Sequence, residues 1–369
     1  MTPHTPVATE AVIREFVHEM PATRVVLAAG ARNNVPDEVA SLAWQRVLLI
    51  GGDEPLRAVG DEIAAALGPW VGARISDTAQ HVPTAAATAA TATARRIAAD
   101  GLVALGGGSA IGLAKAVALD TGLRILAVPT TYAGSEMTDI WGRTDGGRKT
   151  TGRDPRVRPV AVVYDVELTT GMPAGLTAVS GLNALAHCVE AAYDAQASPI
   201  TRLLAVEGAR LLATWLPDAV ADGRELRARA EVQYGAHLAG TALGAARMGV
   251  HHSLCHILGG TFGLPHAETH AVVLPYAVAF NQTAAQAALA PLAAALDVND
   301  VGIAATLWDL GRKVGAPRSL AEFGLTAHDA VRAARHLAEH HISNPRPVDP
   351  EGARELVLAA YHGKRPGDY

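Results

Sequence analysis

The strongest constraint on the fold is an alternation of short apolar segments with helical stretches between residues 24 and 165. Six segments rich in β-branched and aliphatic residues predict buried strands, at 24–30, 46–52, 73–78, 102–109, 124–131 and 158–165. Helical patterns separate several of them, at 54–67, 85–101 and 110–122. Parallel strands need crossover connections, which are usually helices. The sequence therefore predicts an α/β domain with a Rossmann-like parallel sheet.

The rest of the chain has a different character, because strand patterns vanish from Leu168 onward. Long alanine- and leucine-rich segments follow, which predict an all-helical domain. Glycine or proline separates these segments at 214–223, 259–265, 316–318 and 344–350. A chain of 369 residues also exceeds the length that one core usually supports. We place a dinucleotide-binding domain at 1–163 and a helical catalytic domain at 164–369, with the ligand in the cleft between them.

Composition excludes several classes of protein. A net charge of −5 provides no basic field for nucleic acid. Two cysteines, Cys188 and Cys255, form no disulfide framework and favour a reducing compartment; we interpret both as small core residues, because their spacing from histidines matches no zinc pattern. The first residues have neither a basic start nor a long apolar run, and no segment is apolar enough to span a bilayer. We expect a cytoplasmic protein with no membrane partner.

A glycine turn joins the fourth predicted strand to a helix. Gly106, Gly107 and Gly108 precede Ser109, which we predict to be the N-cap. Glycine lets the backbone approach a phosphate closely, and a helix N-terminus offers free N–H groups. Asp53, after the second strand, is placed to bond a ribose 2′-hydroxyl, which favours NAD over NADP. The alternatives are a tight turn that binds nothing and an Asp53 that only caps a helix.

The loop after the fifth strand carries several hydroxyl groups beside a flexible glycine. We predict that its hydroxyls bind the cofactor's phosphate or nicotinamide, namely those of Thr130, Thr131, Ser135 and Thr138. An ordinary turn with hydrogen-bonding side chains is the alternative reading.

Histidines are concentrated in the helical half. Five of the fifteen lie between residues 249 and 271. His252 and His256 are four apart, so they share one face of a helix that we expect to end at Gly259, and His266 follows in a predicted loop. Another helix places Asn183 and His187 on a common polar stripe. Converging imidazoles are typical of an active site or a metal site.

At this point the motifs GGGSxxxxAK, PTTxxxSE, GxNALAHxxEAxY and HSLCHxLGGxxxLPH, in this order and spacing, resemble the iron-containing alcohol dehydrogenase superfamily over nearly the whole chain. The resemblance implies the dehydroquinate synthase-like fold, with NAD(P) and substrate in the cleft. It also implies that the family's metal ligands, an aspartate and three histidines, correspond to Asn183, His187, His252 and His266. His256 matches a further histidine near the nicotinamide.

Where this sequence departs from the metal-dependent members, it resembles the maleylacetate reductase branch of that superfamily. Asn183 replaces the anionic ligand, Gly112 stands where an aspartate is usual, and PHAETHA replaces a proline-histidine-glycine stretch. An amide oxygen contributes only a dipole to a divalent cation, although three histidines alone can hold zinc. We therefore expect no metal and an NADH-dependent reduction of the carbon–carbon double bond of maleylacetate to 3-oxoadipate, with NADPH as a possible donor.

The resemblance also suggests residues that contact the substrate. We expect His252 or His256 to deliver the proton, with His187, His266 and Asn183 completing the catalytic set. Substrate carboxylates should meet Arg143 or Lys149, and Lys149 matches a family lysine near the cofactor. Tyr132 is expected to touch the substrate, whereas Glu190 is expected to make a structural hydrogen bond. By resemblance the protein should be a homodimer.

Three alternatives remain open at this stage. A metal-dependent alcohol or polyol dehydrogenase would tolerate Asn183 and lose activity in chelator. A dehydroquinate synthase-like enzyme would show no net consumption of NADH. A catalytically inactive binding protein would be indifferent to the loss of His252.

Overall fold

The computed structural model describes residues 15–146, 148–298 and 302–368, without the side chains of residues 148 and 149. Residues 1–14, on which much of the expectation about a leader sequence rests, lie outside this range. The strands, in chain order, are β1 Arg24–Ala28, β2 Val47–Gly51, β3 Val71–Ile75, β4 Gly101–Gly106, β5 Ile125–Pro129, β6 Ile140–Asp145, β7 Arg148–Arg153 and β8 Ala161–Asp165. Six of them form one parallel sheet in the order β1-β8-β5-β4-β2-β3.

Helices cover both faces of this sheet, which explains why its central strands are apolar throughout. Leu48 and Ile50 point into one core, and Val47 and Leu49 point into the other, as the two-residue period of a strand requires. The helices of this domain are α1 Val35–Ser41, α2 Arg57–Leu67, α3 Thr84–Arg96 and α4 Gly108–Thr121. α3 and α4 pack on the first core, and α1 and α2 on the second. The predicted α/β fold class and its six parallel strands are confirmed.

One element of this domain escaped prediction. Strands β6 and β7 pair as an antiparallel hairpin, although neither is among the six predicted strands. The hairpin has no continuous apolar run, because its residues are exposed or only half-buried where their side chains are described.

The second domain is helical throughout its described residues. Its helices are α5 Ala174–Tyr193, α6 Pro199–Ala221, α7 Leu226–Ala245, α8 Val250–Phe262, α9 His266–Asn281, α10 Gln286–Ala295, α11 Gly302–Lys313, α12 Ala327–Glu339 and α13 Pro350–His362. α5 lies at the centre, and every residue from Thr177 to Tyr193 is buried. Polar side chains on such a helix need partners inside the protein.

Three predicted boundaries shift. The proposed domain division at residue 163 falls inside β8, which continues to Asp165. The predicted interruption at 214–223 is placed too early, because α6 runs through Pro217 to Ala221 and the break before α7 falls at 222–225. α8 passes Gly259 and ends where Gly263 adopts a φ of 70°, which glycine tolerates without strain. Among the described residues, no helix is long and apolar enough to cross a membrane.

Candidate active site

The carboxyl ends of β2 and β4 meet where the order of strands reverses, which is the usual ligand position in an open parallel sheet. Gly51 pairs with Leu105 there, and a Cβ on Gly51 would lie 1.9 Å from the Leu105 carbonyl oxygen. Gly106 has a φ of 143°, so the chain turns early and α4 begins at Gly108 with Gly107 as its N-cap. The prediction that Ser109 is the cap is therefore wrong; Ser109 lies in the first helical turn and is half-buried.

Asp53 lies at the same edge of the sheet, two residues beyond β2. Its Oδ2 accepts hydrogen bonds from the Oγ1 and backbone N–H of Thr78, at 2.9 and 3.3 Å. These bonds orient the carboxylate beside the glycine turn. Asp53 therefore stands at the carboxyl end of the strand that pairs with β4.

The hydroxyl-bearing loop packs directly on the glycine turn. The Thr130 N–H donates to the Gly106 carbonyl oxygen, and a Cβ on Gly107 would lie 2.9 Å from the Thr131 side chain. Thr131 and Ser135 are half-buried, but Thr138 is 1% exposed. The Thr138 hydroxyl accepts a hydrogen bond from Lys115, which turns it away from a ligand.

Lys115 explains how this loop keeps its shape. Its ammonium donates to the carbonyl oxygens of Ser135, Thr138 and Ile140 at 2.6 to 2.8 Å. The side chain is fully buried, and burial lowers the pKa of Lys115 to about 7. Gly134, at a φ of 74°, then brings the loop against α7, where a Cβ would lie 3.0 Å from Gly240 Cα and 3.6 Å from His187 Nδ1. The loop thus connects the glycine turn to the histidines.

The histidines converge as the sequence suggests. The ring centroids of His187 and His252 lie 5.1 Å apart, and those of His252 and His256 lie 6.2 Å apart. His270, on α9, lies against histidines of both α8 and α9: its ring is 4.8 Å from that of His252 and 4.4 Å from that of His266. His187 and His252 are buried, whereas His256 and His266 are exposed. His266 is the first residue of α9 rather than part of a loop.

Glu190 orients His252. Its Oε2 lies 2.6 Å from His252 Nδ1, and its Oε1 accepts from the His251 N–H at 3.0 Å and the Tyr193 hydroxyl at 2.8 Å. Burial raises the pKa of this carboxyl, but the hydrogen bond and charge of His252, with His251 and Tyr193, bring it down to about 2. Glu190 is therefore an anion that accepts the Nδ1–H of His252.

Three polar atoms around this pair are buried without a hydrogen-bond partner among the described residues. They are Asn183 Oδ1, His187 Nδ1 and His252 Nε2. Burial, and then the charges of His252, His251 and His266, keep the pKa of His187 well below its usual range. Buried polar groups normally have partners, so unpartnered atoms on two helices are suited to receive a ligand.

Two of the predicted substrate contacts are engaged elsewhere. Tyr132 is 0% exposed, and its hydroxyl accepts from the buried Arg229 at 3.1 Å, so this geometry does not favour contact with a ligand. The Arg143 guanidinium forms a 2.8 Å ion pair with Asp120 and donates to the Ala116 carbonyl. Arg143 therefore connects the hairpin to α4 in this structure, and its role as a substrate clamp stays a prediction. The Lys149 side chain lies outside the described part of the protein.

His251 and His270, which are not among the predicted site residues, are both fully buried beside the site. His251 Nε2 lies 2.9 Å from His270 Nδ1. The signal was available, since His251 lies four residues before Cys255 on an apolar helix.

Comparisons with known proteins cover both domains. Residues 22–166 match the family model described as iron-containing alcohol dehydrogenase, and residues 177–361 match the C-terminal model of the Fe-containing alcohol dehydrogenase family. Maleylacetate reductase 2 of Cupriavidus pinatubonensis is 47% identical over 96% of this chain and 99% of its own length. The crystal structure of maleylacetate reductase from Rhizobium sp. strain MTP-10005 has a TM-score of 0.92 at 41% identity, over 96% of this chain and 100% of that one. A sulfoacetaldehyde reductase from Bifidobacterium kashiwanohense in complex with NAD+ shares the fold, at a TM-score of 0.87 and 22% identity over 95% of this chain and 100% of that one.

Proposed function

Because the chain belongs to the iron-containing alcohol dehydrogenase family, we propose that it is an oxidoreductase that reduces the carbon–carbon double bond of maleylacetate with a nicotinamide cofactor. The observation that carries this proposal is the likeness to maleylacetate reductases, which extends through both domains at 40–47% identity. The likeness therefore includes both the glycine turn and the helices that carry the histidines, α5, α8 and α9.

The family name implies iron, and the donor set can be tested against it. Asn183 supplies no negative charge at the position of the family's anionic ligand. Although their rings lie close together, His187, His252 and His266 do not form a group of donor atoms that could share an ion; the one such group among the described residues consists of other side chains. These residues do not fit a resident iron ion. We propose that they bind the substrate instead, and no step of the reaction is assigned to a metal.

The reaction follows from the chemistry of a conjugated ketone. Hydride from the cofactor adds to the alkene carbon β to the ketone, which leaves an enolate, and a proton added to the α carbon gives 3-oxoadipate. The enolate oxygen needs hydrogen-bond donors that are already in place. His187 is buried beside the loop that packs on the glycine turn, and Asn183, one turn before it on α5, can donate from its amide nitrogen, which carries no charge.

His252 is the proposed proton donor. Glu190 accepts the Nδ1–H of this ring, so the remaining position for a transferable proton is Nε2. That atom is buried and has no partner within the described ranges. The carboxylate therefore holds the ring in one orientation, much as a third residue orients a catalytic base. His256 and His266, at the exposed rim, are proposed to contact the substrate.

The cofactor is proposed to be NADH, with its pyrophosphate on Gly106 to Gly108 and its ribose on Asp53. An aspartate beside the ribose repels a 2′-phosphate. Thr131 and Ser135 are the accessible hydroxyls of the adjoining loop, and Lys149 remains a proposed contact. Comparing kcat/KM for NADH and NADPH tests this assignment, and equal values would refute it.

We further propose that the protein is a cytoplasmic homodimer. Both of its cysteines are free and buried, as suits a reducing compartment. Sedimentation equilibrium measures the oligomeric state directly, and a monomer at micromolar concentration would contradict the proposed homodimer.

The proposed reaction is tested by following NADH oxidation spectroscopically. Purified protein is mixed with NADH and maleylacetate, and the loss of reduced nicotinamide is compared with the 3-oxoadipate formed. The proposal requires one product per NADH oxidised. Alcohol oxidation with NAD+ in the absence of activity on maleylacetate would instead support the alcohol dehydrogenase alternative.

A further inference from the structure

We propose that His251, Cys255 and His270 form a second, fully buried cation site for a thiophilic metal of the zinc class, separate from the positions at which the family's ligands would lie. The three residues are called the His–Cys–His cluster below. His251 and Cys255 lie one turn apart on α8, and His270 lies on α9.

The geometry is close to that of a bound cation. His251 Nε2 lies 2.9 Å from His270 Nδ1 and 3.8 Å from Cys255 Sγ, and the three donor atoms lie within 4.8 Å of one another. Zinc binds nitrogen at about 2.0–2.1 Å and sulfur at about 2.3 Å, so a tetrahedral site separates two nitrogens by about 3.3 Å and a nitrogen from a sulfur by about 3.6 Å. To accept the ion, the histidine pair must widen by a few tenths of an ångström, and the Cys255 sulfur must move slightly closer to His251.

The donor types select the metal. Two imidazoles and a thiol are ligands for zinc or copper rather than for magnesium or calcium, which prefer oxygen. In the hydrogen bond between His251 and His270 a single proton lies between two nitrogens. A cation uses both lone pairs, and the displaced proton moves to the other nitrogen of its own ring, His251 Nδ1 or His270 Nε2, neither of which has a hydrogen-bond partner among the described residues.

The charges also balance. Burial, and then the charge of Glu190, raise the pKa of the Cys255 thiol, so the thiolate forms only with a cation that neutralises it. Glu190 is an anion, and its Oε1 accepts from the His251 N–H at 3.0 Å. While His252 is neutral, one divalent cation, the Cys255 thiolate and the Glu190 carboxylate sum to zero, which is what a site without solvent requires.

The cluster lies directly behind the proposed active site. The ring of His270 is 4.8 Å from that of His252 and 4.4 Å from that of His266. A bound cation would therefore fix α9 to α8 and hold the ring of His270 against both histidines. This assigns the cluster a positioning role that is independent of the identity of the substrate.

Cobalt provides a direct test, because a cobalt–thiolate bond has a charge-transfer absorption that histidine ligands lack. The protein is produced in cobalt-supplemented medium, so that the ion is present as the chain folds, and is compared with its Cys255→Ala variant. We expect about one cobalt per chain with thiolate absorption in the unmodified protein, and loss of that absorption in Cys255→Ala. Cys188→Ala is the matched control, since it removes the other buried thiol and should leave the absorption intact.

His187→Ala separates this site from the family's metal position and should also keep both the cobalt and the absorption. Cys255→Ser, which preserves the volume of the side chain, replaces Cys255→Ala if the latter fails to fold by circular dichroism. Metal content well below one equivalent in the unmodified protein would overturn the proposal. So would thiolate absorption that persists without Cys255, or that disappears in His187→Ala.

Discussion

The carboxylate of Glu190 connects three groups beside the proposed active site. It accepts from a ring nitrogen of His252, a backbone N–H of His251 and the hydroxyl of Tyr193. Sequence analysis placed Glu190 on the right helix and expected a structural hydrogen bond. It could not identify the partner, because helical spacing fixes which face a residue occupies and says nothing about which helix lies across from it.

Glu190→Gln should therefore lower kcat/KM for maleylacetate, on the order of 10²-fold. The amide is uncharged and can present N–H to the Nδ1–H of His252, so the ring loses its fixed orientation. Steady-state kinetics measure the effect, with the surface substitution Glu207→Gln as control. A Glu190→Gln enzyme with unchanged kcat/KM would show that His252 needs no carboxylate partner.

The same substitution predicts a pH dependence of stability. The pKa of Glu190 is about 2 in the folded protein and 4.5 when unperturbed. A carboxyl with a depressed pKa contributes stability that is fully present above pH 4.5 and is lost as the pH falls towards 2. The difference in free energy of unfolding between the unmodified protein and Glu190→Gln should shrink over that window. Urea titrations at several pH values measure it, and a constant difference would contradict the assignment.

At the scale of elements, the turn between β4 and α4 determines how closely the hydroxyl-bearing loop approaches. The strand and the helix were both predicted, whereas the cap was placed two residues late. The error has a physical source: Gly106 adopts a φ of 143°, which sequence alone does not reveal. The β6–β7 hairpin was missed for a different reason: it buries too little apolar surface to show the alternating pattern of a strand.

Gly107→Ala should weaken cofactor binding. The new Cβ would lie 2.9 Å from the Thr131 side chain, so the loop must move away from the turn, whereas a Cβ on Gly108 meets nothing within 4 Å. We expect the KM for NADH to rise roughly 10-fold in Gly107→Ala, equivalent to about 1.4 kcal/mol, and to change little in Gly108→Ala. Equal effects in the two variants would show that backbone flexibility, rather than this contact, matters.

At the scale of the whole molecule, a buried network joins the two domains. Arg229 of α7 is fully buried and donates to the hydroxyls of Tyr132 and Thr177, at 3.1 and 2.9 Å. Tyr132 belongs to the loop of the sheet domain and Thr177 to α5. The division into a sheet domain and a helical domain followed from the sequence. This connection did not, because nothing local to Arg229 indicates that an arginine will be enclosed.

Tyr132→Phe tests the role of this network against the earlier expectation of a substrate contact. Loss of the acceptor for a buried guanidinium should lower the free energy of unfolding by about 1–3 kcal/mol and leave the KM for maleylacetate within about twofold, since less than about 0.4 kcal/mol of binding would be affected. Tyr234→Phe, at an exposed tyrosine, serves as control. A large rise in KM with unchanged stability would restore Tyr132 to the substrate site.

The central claim is that histidines and an amide replace a catalytic metal at the family's metal position. The most direct measurement is NADH oxidation with maleylacetate before and after exhaustive chelation, and again after iron is added back, with the metal content determined in parallel. Running it on the unmodified protein and on Cys255→Ala separates the active site from the His–Cys–His cluster. We predict that iron adds nothing in either protein and that chelation leaves the turnover of Cys255→Ala, which lacks the cluster, unchanged. Activity that is lost to the chelator and restored in proportion to iron, in both proteins, would contradict the account.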